Sequence, residues 1–443
     1  MGTDSTNNGV FLVSSGGNVS SLLMNGTNNL FVGGSFTSVD GSSISANSLA
    51  SWDGNSWSNF ENPLNNAISG ENVYALSMNG TNDLFVGGEF SFESICSSNL
   101  AQISSNPSIY TETTSWISLN GGVNFTVNAV AMNGTSNLFV GGGFTSVDGT
   151  LIPANNIASW NGNSWSILGS NSINNGVASS STVFALAMNG TNNLFVGGDF
   201  TSVDGGSILA NYIASWNGNS WNILGTNSTN NGVGGQVSAL AMNGTNQLFV
   251  GGSFSSVDGS SLSANNIVSW NGNSWDLTVF GINGPVAIIK ALAMNGTNQL
   301  FVGGLFTYII NGTDTISANY IASWNGNSWN FLGTNSTNNG ASNQIRALTM
   351  NGTSNLFVGG SFTSVDGYSI SANYIASWNG NSWNILGTDS TNNGVNGLVN
   401  ALAMNGTNNL FVGGSFTQTG DGVICSSSIA SFSGGNKQFE QTG

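Results

Sequence analysis

Histidine is absent from this chain of 443 residues, and lysine with arginine number 3, cysteine 2 and proline 4. Without histidine the usual general base is missing. So are the serine and cysteine triads built on it and most transition-metal sites. The three cations, Lys290, Arg346 and Lys437, face 19 acidic side chains, for a formal net charge of −16. Such a surface repels phosphate backbones and anionic lipid, which argues against nucleic acid and membrane surfaces as partners. No apolar run approaches the roughly 18 residues of a membrane span. The opening MGTDSTNNGV has neither the basic nor the long apolar region of a signal peptide. The acidic residues scatter without a unique close pair, so hydrolysis by two carboxylates has no candidates. We expect no enzyme, no cofactor and no resident metal. Charged residues are only 5% of the chain, so hydration falls to Asn, Ser, Thr, Gly and attached sugar.

What is present is repetition. The tetrad FVGG begins at Phe31, Phe85, Phe139, Phe195, Phe249, Phe301, Phe357 and Phe411, a period near 54 residues. One copy breaks at turn signals into four strand-sized pieces. Residues 237–242 alternate, Asn243-Gly244 supplies a tight hairpin, and 248–254 form a second strand. The paired glycines Gly251 and Gly252 suggest a bulge or a place where a neighbouring backbone must come close. A polar loop, SSVDGSSLSAN, leads to a third strand over 267–270, and Asn271-Gly272-Asn273 turns the chain into a fourth beginning at Trp275. No window sustains helical spacing of apolar residues. The pattern therefore predicts an all-β fold, an eight-bladed β-propeller of four-stranded antiparallel blades, as one domain over 1–443. Residues 1–23 read as an atypical N-terminal segment and 433–443 as a C-terminal tail. Either N-terminal residues or Lys437 to Gln441 are expected to complete the last blade. Leu248, Val250 and Phe254 with their counterparts are expected to form the core between stacked blades.

Asn-Gly-Thr recurs on each first hairpin, at Asn25, Asn79, Asn133, Asn189, Asn243, Asn295, Asn351 and Asn405, and further sequons lie at Asn18, Asn124, Asn227, Asn311 and Asn335. Asn-Gly is also what the turn itself wants. The scarcity of charge favours N-glycosylation. Tryptophans flank the second hairpin, as in Trp216 with Trp221. Packing between strands or blades is the plainer reading, and platforms for sugar rings the other. Asp40, Asp148, Asp204, Asp258 and Asp366 recur in SVDG, first as a turn device; their spacing matches no calcium loop.

Copies one, two and eight depart from the rest, either as a seam or as a contact surface. Cys96 and Cys425 stand in the matching contexts ICSSNLA and ICSSSIA of copies two and eight. Corresponding points on such blades lie beyond the 7 Å or so between Cα atoms that a disulfide permits. Both are therefore free, or each pairs with the other kind on the next molecule, a head-to-tail contact near repeats eight, one and two that does not close and so builds a filament.

The runs Phe357 to Phe362 (FVGGSF), Ile375 to Trp378 (IASW) and Trp383 to Gly387 (WNILG), with their counterparts, resemble the delta-sixty class of propeller repeats in bacterial secreted proteins. They are similar as well to the propeller repeats in ectodomains of fungal cell-polarity marker glycoproteins. The resemblance covers almost the whole chain and implies an extracellular or cell-surface protein. Two functions stay open: a non-enzymatic structural or adhesive propeller, partnered by itself, and a lectin-like propeller that binds surface glycans.

Overall fold

The computed structural model describes residues 10–11, 17–26, 29–60, 69–79, 83–92, 97–104, 115–134, 137–178, 180–190, 193–244, 247–277, 282–283, 287–296, 299–311, 314–352, 355–405, 409–420 and 428–433. The fold is an all-β, eight-bladed propeller with four-stranded antiparallel blades. No α-helix occurs among the described residues, whose one helical turn is a 3-10 turn at Asp204–Gly206.

Blade 4 shows the unit. Its strands Val183–Asn189, Asn193–Gly198, Ile213–Trp216 and Trp221–Ile223 pair in sequence order. The first hairpin closes through Gly190, whose φ of 56° is the left-handed region that the Asn-Gly dipeptide supplies. The polar loop between strands two and three is more ordered than the sequence suggests. It folds into a two-stranded ribbon, Ser202–Val203 with Ile208–Leu209. Across each second hairpin the tryptophans stand opposite one another, as Trp216 does with Trp221.

The two glycines of FVGG sit at the expected bulge, and the neighbouring blade comes close there with a side chain rather than with backbone. Opposite the pair, the register of the first strand shifts by one residue, as between Val127 and Ala129. At the second glycine of the pair, Gly142, a Cβ would overlap the carbonyl oxygen of Thr126, so this position belongs to the bulge. At the first, Gly141, a Cβ would stand 2.5 Å from Cγ1 of Val183 on the next blade. That position sets how closely blades stack.

The blades fall into two compact units, residues 62–281 with blades 2 to 5 and residues 1–61 with 282–443, holding blades 6, 7, 8 and 1. Within each unit the core lies between neighbouring blades. Phe139, Ile157 and Leu168 of blade 3 pack on Val183, Val196 and Phe200 of blade 4. In the other unit Phe411 and Ile429 of blade 8 pack on Val19, Leu30 and Val32 of blade 1. The predicted core residues Leu248, Val250 and Phe254 are all buried.

One expectation about the ends is corrected. Residues 18–23 are not ahead of the first blade, because Asn18–Asn25 is its first strand. Nor do the described N-terminal residues extend blade 8, which has three described strands. Val10–Phe11 pairs with Ser38–Val39 in the ribbon of blade 1. Val177 bridges to Val203 in the same way between blades 3 and 4. Val10–Phe11 therefore docks on the ribbon of the blade that follows it, as Val177 does. Residues 434–443, including Lys437 to Gln441, lie outside the described residues.

Candidate functional site

Each blade has two ends with different chemistry. One carries the two hairpin turns. The other carries the ribbon and the connection to the next blade.

At the hairpin end, seven of the Asn-Gly-Thr asparagines (Asn25, Asn79, Asn133, Asn189, Asn243, Asn351 and Asn405) are half-buried and Asn295 is buried. In three of them the amide nitrogen, the atom a sugar would occupy, works across the hairpin: Asn79 Nδ2 donates to Asp83 Oδ2 at 2.9 Å, Asn243 Nδ2 to Gln247 Oε1 at 3.3 Å and Asn295 Nδ2 to Gln299 Oε1 at 3.0 Å. Asn18 is half-buried in its strand and donates to Ser20 Oγ at 3.0 Å. Asn311 ends a strand opposite Asp314. Three sequons at the connection end are different. Asn124, Asn227 and Asn335 are exposed. In two of these the hydroxyl of the sequon threonine donates to the asparagine carbonyl, Thr229 to Asn227 at 2.8 Å and Thr337 to Asn335 at 2.6 Å.

The tryptophans are structural. In the described pairs, from Trp52 with Trp57 to Trp378 with Trp383, exposure is 2% to 8% and centroids stand 5.1 to 5.6 Å apart. Faces so covered cannot receive a sugar ring. Four second members also reach the preceding blade, as Trp165 Nε1 donating to Leu119 O at 2.7 Å and Trp383 Nε1 to Leu332 O at 2.8 Å, whereas the buried Nε1 of Trp329 has no partner among the described residues.

Three of the SVDG aspartates join blades as well. Asp258, 4% exposed and at φ 53°, accepts the Thr226 N–H at 2.8 Å and its hydroxyl at 3.0 Å from the connection leaving blade 4. Asp366 does the same with Thr334, and Asp204 accepts the Ser170 N–H at 2.7 Å. No group of three or more potential metal ligands occurs among the described residues. Cys96 and Cys425 lie outside them.

A buried asparagine ladder escaped the sequence reading. Asn175 is fully buried, its Oδ1 accepting the Asn155 N–H at 3.0 Å and its Nδ2 donating to Ser172 O at 3.0 Å. Asn231, Asn339 and Asn393 repeat the arrangement. The signal was present as the NNG at 174–176, 230–232, 338–340 and 392–394, hidden within a polar run that reads as a solvated loop.

The connection end of blades 3 and 4 also exposes apolar side chains: Phe125 at 59%, Leu151 at 79%, Ile173 at 81% and Leu209 at 52%. Backbone bonds link the segments that carry them. Asn124 N donates to Ser146 O beside the blade 3 ribbon, Val177 N to Asn155 O, and Gly205 N to Asn175 O. Three of the four replace a hydroxyl residue of sister copies: Leu151 stands where blade 5 has Ser261, Ile173 where Thr229 stands, and Leu209 where Ser263 stands.

Fold and surface thus define a repeat-built β-propeller whose regular part is committed to holding blades together. No protein-family model matches the chain and no curated protein matches it. Among solved structures the chain is similar to the WD40 β-propeller domain of Doa1, at 11% identity over 77% of this chain and 89% of that one, with a TM-score of 0.43. It is similar to YCF48 bound to D1 peptide at 10% identity, over 81% and 95%, with a TM-score of 0.43. The extracellular domain of a putative one-component system, BT4673 from B. thetaiotaomicron, matches at 14% identity with a TM-score of 0.40. That match covers 99% of this chain and 54% of the other, so this chain spans about half of that domain's length.

Proposed function

We propose that the chain is a non-enzymatic, extracellular structural or adhesive propeller, a single domain of the delta-sixty type that carries sugar and associates with copies of itself. The resemblance of its repeats to those of secreted and cell-surface proteins supports the location. Burial of the tryptophans disfavours the lectin-like alternative.

One observation carries the adhesive reading. The loop that exposes Ile173 is the one in which Asn-Ser-Thr has become Asn171-Ser172-Ile173, so a sugar site is lost where an aliphatic side chain appears. Asn227 and Asn335 keep the sequon at the same place. An aliphatic surface that has lost a sugar site, beside loops that keep theirs, is what an interface between copies needs. Cys96 and Cys425 would secure a second, head-to-tail contact.

The test is sedimentation of protein made in a host that adds no sugar. The triple variant Leu151→Ser/Ile173→Thr/Leu209→Ser restores residues that sister blades already tolerate. Wild type is expected to associate, more strongly as salt screens its net charge of −16. The triple variant is expected to stay monomeric. Equal behaviour of the two proteins rejects the interface.

A further inference from the structure

Each first strand carries one extra residue at its bulge, and this is the strand position that the repeat does not repeat. It lies between a constant Val or Ile and, in seven copies, an Ala. In blades 6, 7, 8 and 1 it is Lys290, Arg346, Asn400 and Ser20. Two of the chain's three cations therefore occupy one register position on two first strands that pack side by side, Ile288–Met294 and Ile345–Asn351. Both side chains are exposed, and no described acidic side chain forms an ion pair with either.

Like charges placed on neighbouring strands repel, so fold stability does not favour this arrangement. Elsewhere the chain is overwhelmingly acidic, and that background makes a paired cation the more unusual. A bulge leaves its extra residue out of the ladder and re-aims its side chain, which is how a variable group is presented on a constant frame. The next blades steady Arg346. Arg346 Nη1 donates to Asn400 Oδ1 at 3.2 Å, Asn400 Nδ2 to Asn18 Oδ1 at 2.9 Å, and Asn18 Nδ2 to Ser20 Oγ at 3.0 Å. One guanidinium N–H is thus held in place while its other donors stay available for a two-pronged grip on an oxyanion.

We infer that Lys290 and Arg346, steadied by Asn400, form a binding site for a small dicarboxylate, one carboxylate on each cation. The ammonium acts as a point charge and the guanidinium as a planar fork, so the two ends of the ligand are recognised differently. A monocarboxylate satisfies one cation and leaves the repulsion between the two partly unrelieved. This site is independent of the apolar face and survives if that face proves inert.

The experiment is calorimetric titration of the whole protein with succinate, acetate and sulfate at constant ionic strength, together with Lys290→Gln and Arg346→Gln. Sister blades hold Asn, Ser, Tyr or Phe at this position, so both variants are expected to fold, and thermal melting without ligand checks that they do. Succinate is expected to bind saturably, about tenfold tighter than acetate, and to lose about tenfold in either variant, on the scale of one charge-assisted contact. It is expected to raise the melting temperature of wild type more than that of either variant. Absence of saturable binding overturns the site, as does binding unchanged in both variants. Sulfate binding as tightly as succinate overturns the dicarboxylate assignment.

Discussion

The indole Nε1 of Trp221 donates to the carbonyl oxygen of Leu168, which belongs to the preceding blade, at 2.8 Å. The same oxygen accepts the Gly176 N–H at 2.8 Å, so one buried carbonyl ties together a strand, the connection that follows it and the next blade. Replacing Trp221 by Phe keeps most of the buried ring and removes the donor. The expected loss is about 1–2 kcal/mol in urea unfolding, with an unchanged slope. A neutral result would reduce the contact to coincidence.

Blade spacing is set by the first FVGG glycine. Gly141→Ala drives a methyl into Val183 and should cost about 1–3 kcal/mol as an overpacked site. Val183→Ala alone opens a cavity. The double variant is expected to recover part of the sum, giving a coupling energy of opposite sign to the single losses. Strict additivity in the cycle would contradict the close approach.

Asparagines that look alike in sequence should respond oppositely to aspartate. The turn Asn161 accepts the N–H groups of Asn163 and Ser164 at 2.9 Å. Blade 1 has Asp53 there, accepting from Asn55 and Ser56 at 2.8 and 2.7 Å. Asn161→Asp is therefore expected to be within about 0.5 kcal/mol of wild type. At Asn175 a carboxylate would lose the donor to Ser172 O inside a fully buried site, and Asn175→Asp should cost about 3 kcal/mol. Comparable melting of the two variants would sink the distinction.

Asp389 replaces the sequon asparagine in the connection between blades 7 and 8. The Thr391 hydroxyl at 2.6 Å, its N–H at 2.8 Å and the Asn392 N–H at 2.9 Å hold the carboxyl well below the ordinary carboxylate range. A depressed folded value contributes stability that is present above the unfolded value near 3.8 and is lost as pH falls through the folded one. The stability difference between wild type and Asp389→Asn should thus be flat from pH 8 to 5 and change only in strong acid. A difference that drifts between pH 8 and 5 would point to another titrating group.

The cysteines are tested on gels. Oligomer bands without reductant that collapse with it are expected from a Cys96 to Cys425 link between chains; monomers under both conditions eliminate it.

Much of this architecture was legible because each copy advertises its local geometry. Asn243-Gly244 needs left-handed backbone, Gly251 with Gly252 needs room, and Trp270 opposite Trp275 needs a cross-strand partner. What stayed hidden lies between copies. The sequence has no mark telling that Asp258 caps Thr226 of the blade before it, or that Val10 docks on the ribbon of blade 1, since both depend on which blade a connection leans against. Asn175 was hidden by its polarity. A side chain that satisfies both ends of its amide inside the protein reads, letter by letter, like one that faces water. The sequons likewise did not separate into half-buried turns and exposed connections until the register of the hairpins was known.

Hydrogen exchange of the indole N–H groups tests most directly whether stacked blades are stapled by their tryptophans. Resolved by nitrogen-labelled NMR, the signals of Trp165, Trp221, Trp275 and Trp383 are expected to persist long after exposed amides have exchanged, because each donates to a leucine carbonyl of the preceding blade. Exchange of all four as fast as that of a solvent-exposed indole would contradict it.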